Sequence, residues 1–117
     1  MELVIDVSNK TNVIKDLEQN LVDFSLVTVS PTHLEINELP IMENNLVLVA
    51  SKNNTLLNND NNEKSIFKTI PLIFREEGSA TRLYMEEYIK NKGLVVKSKL
   101  QLTSNEAVKQ AVISGLG

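Results

Sequence analysis

Residues 70–93 read IPLIFREEGSATRLYMEEYIKNKG. A short apolar run, Ile70 to Phe74, has the character of a buried strand and hands over through REEGSATR to a segment with helical spacing. In that segment Tyr84 pairs with Tyr88 and Met85 with Ile89, and Gly93 stands where a left-handed helix end is wanted. The order is strand, turn, helix. The turn carries two arginines, two hydroxyls and a glycine, which is more charge than a cap requires. Ser79 and Thr81 are either plain helix caps or donors to a small anion, because free N–H groups and the dipole at a helix N-terminus favour negative charge.

The next stretch repeats the design. From Val95 to Leu102 the chain alternates, with Val96, Leu100 and Leu102 on one side and Lys97, Lys99 and Gln101 on the other, as in a half-buried strand. Thr103-Ser104-Asn105-Glu106 then has capping-box spacing, and the helix it opens carries Ala107, Val108, Ala111 and Val112 on one face before Gly115 closes it. Hydroxyl and amide side chains thus stand twice at a helix N-terminus on the carboxyl end of a strand, the edge where ligands bind in open α/β sheets. The dipole contributes only about 0.3–1 kcal/mol at an exposed site, so capping accounts for either junction taken alone. Two such junctions favour a ligand more than one does.

Upstream, Glu2 to Ser8 (ELVIDVS) predicts a strand and VIKDLEQNL a helix with Val13, Leu17 and Leu21 on one face. Asn20 suits the left-handed helix end, and Phe24 to Val29 (FSLVTV) predicts a second buried strand. Strand, helix and strand in so short a span make a parallel βαβ unit the economical arrangement, which sets the class as α/β. Leu46 to Ala50 predicts another buried strand. The Asn- and Lys-dominated segment 51–65 has little to bury, and reads either as a connection between two lobes or as an ordinary surface loop.

Composition narrows the function. A chain of 117 residues makes one domain or a piece of something larger. Its 42% apolar and 23% charged residues, without a membrane-length apolar run or a leader, predict a soluble globular chain. The net charge of −3 opposes a surface that neutralises phosphates, so any DNA-binding part is expected elsewhere. There is no cysteine, which removes disulfides, thiolate metal sites and cysteine nucleophiles and is compatible with the cytoplasm. His33, the single histidine, lies in a polar loop beside Pro31 and is expected to be a surface residue. No nucleophile, base or metal-ligand constellation stands out, so neither an enzyme nor a metal or cofactor site is expected.

REEGSATR leading into a helix, followed by LTSNEAVKQAVISGLG, resembles the effector-binding domain of LysR-type transcriptional regulators, particularly the branch with the carbon-fixation and sulfur-assimilation activators. ELVIDVSNKTNVIKDLEQNLVDFSLV is similar to that domain's strand, helix and strand. LPIMENNLVLVASKNNTL resembles the strand that crosses from its first lobe to its second. The resemblance covers nearly the whole chain in the family's order. Two departures are visible: Asn20 replaces a usual glycine, and GSATR replaces GSGTR, so that Ala80 adds a methyl group where backbone approaches a ligand.

The resemblance implies a partial periplasmic-binding-protein-like (type 2) two-lobe fold, with mostly parallel sheets flanked by helices. Residues 1–50 would belong to lobe I, 51–65 to the crossing segment and 66–117 to most of lobe II, the DNA-binding domain being absent from this sequence. It further implies a cytoplasmic sensor that binds a small, anionic metabolite between the lobes to control transcription. Its partners would be that effector and copies of itself, as a homodimer or homotetramer, with DNA reached only through another domain and no membrane involved. Ser79, Thr81, Thr103 and Asn105 are the expected donors to ligand and Arg75 and Arg82 the expected charges, with Thr28, Ser30, Ser8 and Asn9 from the first lobe. Against each arginine stands a local pairing, Arg82 with Glu86 and Arg75 with Glu76 or Glu77. The rival is the solute-binding protein of an ABC transporter for a small oxyanion, against which the missing leader and SNEAVKQAVISGLG both count.

Overall fold

The computed structural model describes residues 2–55 and 62–117. Its elements in chain order are α1 (Lys10–Glu18), α2 (Glu63–Thr69), β1 (Leu72–Arg75), α3 (Ala80–Asn91), β2 (Lys99–Leu102) and α4 (Asn105–Ile113). The chain divides into two compact units, Met1–Asn45 with Gly78–Ala80, and Leu46–Glu77 with Thr81–Gly117.

The first unit is built on α1. Asn9 caps its start by accepting from the Asn12 N–H at 3.1 Å. At its end Asn20 adopts φ 54°, donates to the Leu17 carbonyl at 3.1 Å, and lets Leu21 donate to Asp16 at 2.9 Å. That pair of bonds is a Schellman motif with asparagine in the place glycine usually takes, as the sequence predicts. The apolar stretches around α1 depart from expectation. Residues 2–8 and 24–29 form no ladder, with Val4 82% and Phe24 93% exposed. A β-rich sequence only favours extended backbone, and a strand needs a neighbour to satisfy its N–H and C=O groups and to cover a face. None of the described residues supplies one.

The second unit holds the sheet and the core. Leu46 to Ala50, also expected to be a buried strand, is likewise unpaired and exposed. β1 and β2 run parallel, with Leu72 opposite Lys99 and Arg75 opposite Leu102. The inward residues of β1, Leu72 and Phe74, meet Phe67 of α2 and Leu94, and Met85, Ile89 and Val96 pack against them. Phe67 is 1% exposed and Phe74 2%, so loss of either ring would cost about 3–5 kcal/mol. Met85 and Ile89 thus present the helical face that their spacing predicts.

α2 falls at the end of the segment that reads as a loop; residues 56–61 of that segment lie outside the described residues. It starts because Asn62 accepts from the Lys64 N–H at 3.0 Å, and it holds because Phe67 enters the core. α3 and α4 each end in a further Schellman motif. Gly93 at φ 61° lets Leu94 donate to Ile89, and Gly115 at φ 77° lets Leu116 donate to Ala111, both at 3.0 Å. The α4 face expected from spacing is the one that is covered, with Ala111 buried and Ala107, Val108 and Val112 half-buried.

Candidate functional site

In the second unit the parallel register places the carboxyl ends of β1 and β2 side by side, and therefore Arg75 beside the turn that starts α4. The cap of α4 is Ser104, at φ −145° and ψ 154°, whose hydroxyl accepts from the Ala107 N–H at 3.1 Å. The cap lies one residue beyond the expected Thr103, and with Ala107 at the third helical position no capping box forms, which corrects the roles given to Thr103 and Glu106. The Thr103 hydroxyl makes no hydrogen bond to the described residues, while its carbonyl accepts from Arg75 Nη2 at 3.5 Å. Glu106 bonds instead within the helix, accepting from Gln110 Nε2 at 2.8 Å and Lys109 Nζ at 2.6 Å. The Gln110 bond first, then Lys109, holds its carboxyl below the usual glutamate range. Thr81 follows Ala80 in the first turn of α3, half-buried.

Both arginines are engaged within the unit. Arg75 donates from Nε to Glu76 Oε2 at 2.8 Å and from Nη2 to Oε1 at 3.0 Å, and from Nη1 to the Asn105 amide oxygen. Arg82 donates to Glu86 at 2.8 Å, to Gln101 at 2.7 Å and to the Arg75 carbonyl at 3.4 Å. The local pairings weighed against a ligand role are therefore formed. Sequence reasoning missed Gln101, whose alternation marks an outward strand position and says nothing of what it meets.

In the first unit the structure gathers a different set. Thr11 donates to the Gly78 carbonyl from its N–H at 3.2 Å and from its hydroxyl at 3.4 Å, joining the start of α1 to the GSATR turn. Ser8 accepts from Asn12 Nδ2 at 3.1 Å, so Ser8, Asn9 and Thr11 stand together with Gly78 and Ser79. Ser79 is only 6% exposed, and its hydroxyl makes no hydrogen bond to the described residues, so the cap expected there is not formed among them. No fully buried side-chain polar atom among the described residues lacks a partner, so this hydroxyl keeps an edge at the surface. Thr28 accepts from Asn44 Nδ2 at 3.2 Å, and Ser30 is half-buried. Ala80 occupies the first position of α3 in ordinary helical backbone, and it is Gly78, at φ 85°, that needs a glycine. His33 is exposed and pairs with Glu18. Among the described residues no group of three metal-ligating side chains occurs, and no helix is long and apolar enough to cross a membrane.

The chain matches the family model described as LysR substrate binding domain over residues 1–117. It is 36% identical over 115 residues to the RuBisCO operon transcriptional regulator of Allochromatium vinosum, covering 98% of this chain and 38% of that protein. It is 33% identical over 117 residues to the HTH-type transcriptional activator CmpR of Synechocystis sp., covering 100% and 38% respectively. A further RuBisCO operon transcriptional regulator, from Acidithiobacillus ferrooxidans, is 33% identical over 97% of this chain and 37% of its own length. The chain therefore spans less than two fifths of the length of these relatives. No solved structure matches it significantly.

Proposed function

This chain belongs to the LysR substrate-binding domain family, and from that premise we propose that it senses a small anionic metabolite and passes its occupancy to a DNA-binding domain of a longer polypeptide. The match over residues 1–117 carries this reading, and the relatives reported above are transcriptional regulators, which favours regulation over transport or catalysis. The fold is then a part of the type 2 periplasmic-binding-protein-like architecture. Residues 1–50 fall in its first lobe, 51–65 in the crossing segment and 66–117 in its second. The parent protein works in the cytoplasm as a homodimer or homotetramer.

The ligand's oxygens are met by neutral donors. On α4 these are the Thr103 hydroxyl, left free because Ser104 does the capping, the Asn105 amide, and the unpaired N–H groups of the first turn. Thr81, in the first turn of α3, adds a hydroxyl of the same unit, while Ser79, Ser8, Thr28 and Ser30 are hydroxyl groups of the first unit. Arg75 and Arg82 contribute less than their charge suggests, because each is paired with a carboxylate. Occupancy becomes a signal through the ligand's different affinity for two states of the protein.

Thermal denaturation in the presence of sulfate, phosphate, carboxylate and nucleotide compounds tests this. At least one small anion raises the midpoint, and Thr103→Ala and Thr81→Ala each reduce the rise. A flat response across all four classes would remove the anion from the proposal.

A further inference from the structure

We infer that Arg75 is a positioning residue that selects hydrogen-bond acceptors at the start of α4, acting through Asn105 rather than on the ligand. The inference rests on the reading that the Thr103–Asn105 turn receives the ligand. Its observations are separate from that reading. The side chains of Arg75 and Glu76 are 12% and 14% exposed, and their two parallel bonds at 2.8 and 3.0 Å fix the guanidinium in its plane. In that plane Nη1 reaches the Asn105 amide oxygen and Nη2 the Thr103 carbonyl at 3.5 Å.

Two consequences follow from this geometry. The Asn105 oxygen and the Thr103 carbonyl, the acceptors of the turn, are both engaged by the same guanidinium. What the Asn105 amide still offers is its NH2 group, a donor, beside the N–H groups of Asn105 and Glu106 at the start of the helix and the Thr103 hydroxyl, which can donate or accept. The turn therefore favours an oxyanion over a group that must itself donate, because donors outnumber acceptors there. The Glu76 carboxylate also cancels the Arg75 charge, so affinity comes from short-range donors and depends weakly on ionic strength. Lysine cannot substitute, because a single ammonium does not hold two carboxylate oxygens and an amide oxygen in one plane.

Phosphate binding by the 117-residue chain is to be measured for the wild type, Arg75→Met, Arg75→Lys, Asn105→Ala and the double variant Arg75→Met/Asn105→Ala. Amide hydrogen exchange at residues 104–108 is followed in the same proteins, with the α3 amides as an internal control. Each Arg75 variant and Asn105→Ala weaken phosphate binding by about tenfold, the scale of one charge-assisted hydrogen bond, and the double variant loses no more than either single one. Both Arg75 variants speed exchange at 104–108 and leave α3 unchanged. Additive losses, or full rescue by Arg75→Lys, would overturn the inference, since either means the cation itself meets the anion. If the wild type binds no phosphate, the ligand reading of this turn fails for that anion. Arg75 is then judged on exchange alone, where unaltered rates at 104–108 in Arg75→Met refute its positioning role.

Discussion

Thr11 holds the carbonyl of Gly78 with two donors at once, its backbone N–H at 3.2 Å and its hydroxyl at 3.4 Å. The contact is possible only because residue 78 has no side chain. A Cβ there would lie 2.6 Å from the Thr11 Oγ1, and the backbone at φ 85° disfavours any L side chain. Gly78→Ala should therefore destabilise by at least about 1–2 kcal/mol, seen as an earlier urea midpoint. Thr11→Val keeps the N–H bond and the shape, and should cost less than about 1.5 kcal/mol. Equal stability of Gly78→Ala and wild type would mean the turn is not held as described.

Arg82 ties the first turn of α3 to both strands. Its side chain is 18% exposed and its donors reach Glu86, Gln101 and the Arg75 carbonyl. Arg82→Met leaves these acceptors without their cation and should lower stability by about 1–3 kcal/mol in chemical denaturation. Arg82→Lys should recover only part of that loss, because an ammonium cannot serve the three directions of a guanidinium. Full recovery would reduce Arg82 to a simple i,i+4 ion pair.

Ser104 and Thr103 separate capping from binding. Ser104→Ala removes the bond to the Ala107 N–H and should cost about 1 kcal/mol of stability. Thr103→Ala removes a hydroxyl bonded to none of the described residues and should leave ligand-free stability within about 0.5 kcal/mol of wild type. The same pair compared in the presence of an effective anion should reverse in importance. A large loss from Thr103→Ala without ligand would return it to the role of cap.

Glu106 gives α4 an acid-sensitive component. Its carboxyl titrates below the usual glutamate range because Gln110 and then Lys109 favour the charged form. A group with a depressed folded pKa contributes stability above its unfolded pKa, and that contribution fades as pH falls through the folded value. Acidification through the carboxylate range should thus loosen α4, read as faster exchange at its amides, and Glu106→Gln should remove this part of the pH dependence. Tyr88 has the opposite sign. Its hydrogen bond to Glu63 raises its pKa, so its contribution is present at neutral pH and lost as pH rises beyond the ordinary tyrosine range. Tyr88→Phe should flatten the alkaline limb.

Local chemistry made the helix ends and one packed helix face legible. Asn20, Gly93 and Gly115 are readable as helix ends because a left-handed backbone position restricts residue type whatever surrounds it. Met85 and Ile89 are readable as a packed face because their spacing is set by the helix itself. Strand assignment in residues 2–8, 24–29 and 46–50 failed for a physical reason: β-branched composition prescribes extended backbone, and pairing depends on residues distant in sequence. α2 was hidden because Ile66 and Phe67 follow an Asn-rich run whose composition dominates a window of that size. The bond from Arg75 to Asn105 joins residues thirty apart, and only the β1–β2 register brings them into reach. The one-residue shift from Thr103 to Ser104 as cap lies below what spacing can resolve.

Backbone amide resonances of the isotopically labelled chain, titrated with sulfate, phosphate and small carboxylates, show whether the start of α4 receives an anion. At least one of these anions should move the amides of residues 104–107 first and saturably, together with the Asn105 side-chain NH2, and Thr103→Ala should weaken the response. Saturable binding that leaves those resonances in place while shifting others would contradict an anion site at the start of α4.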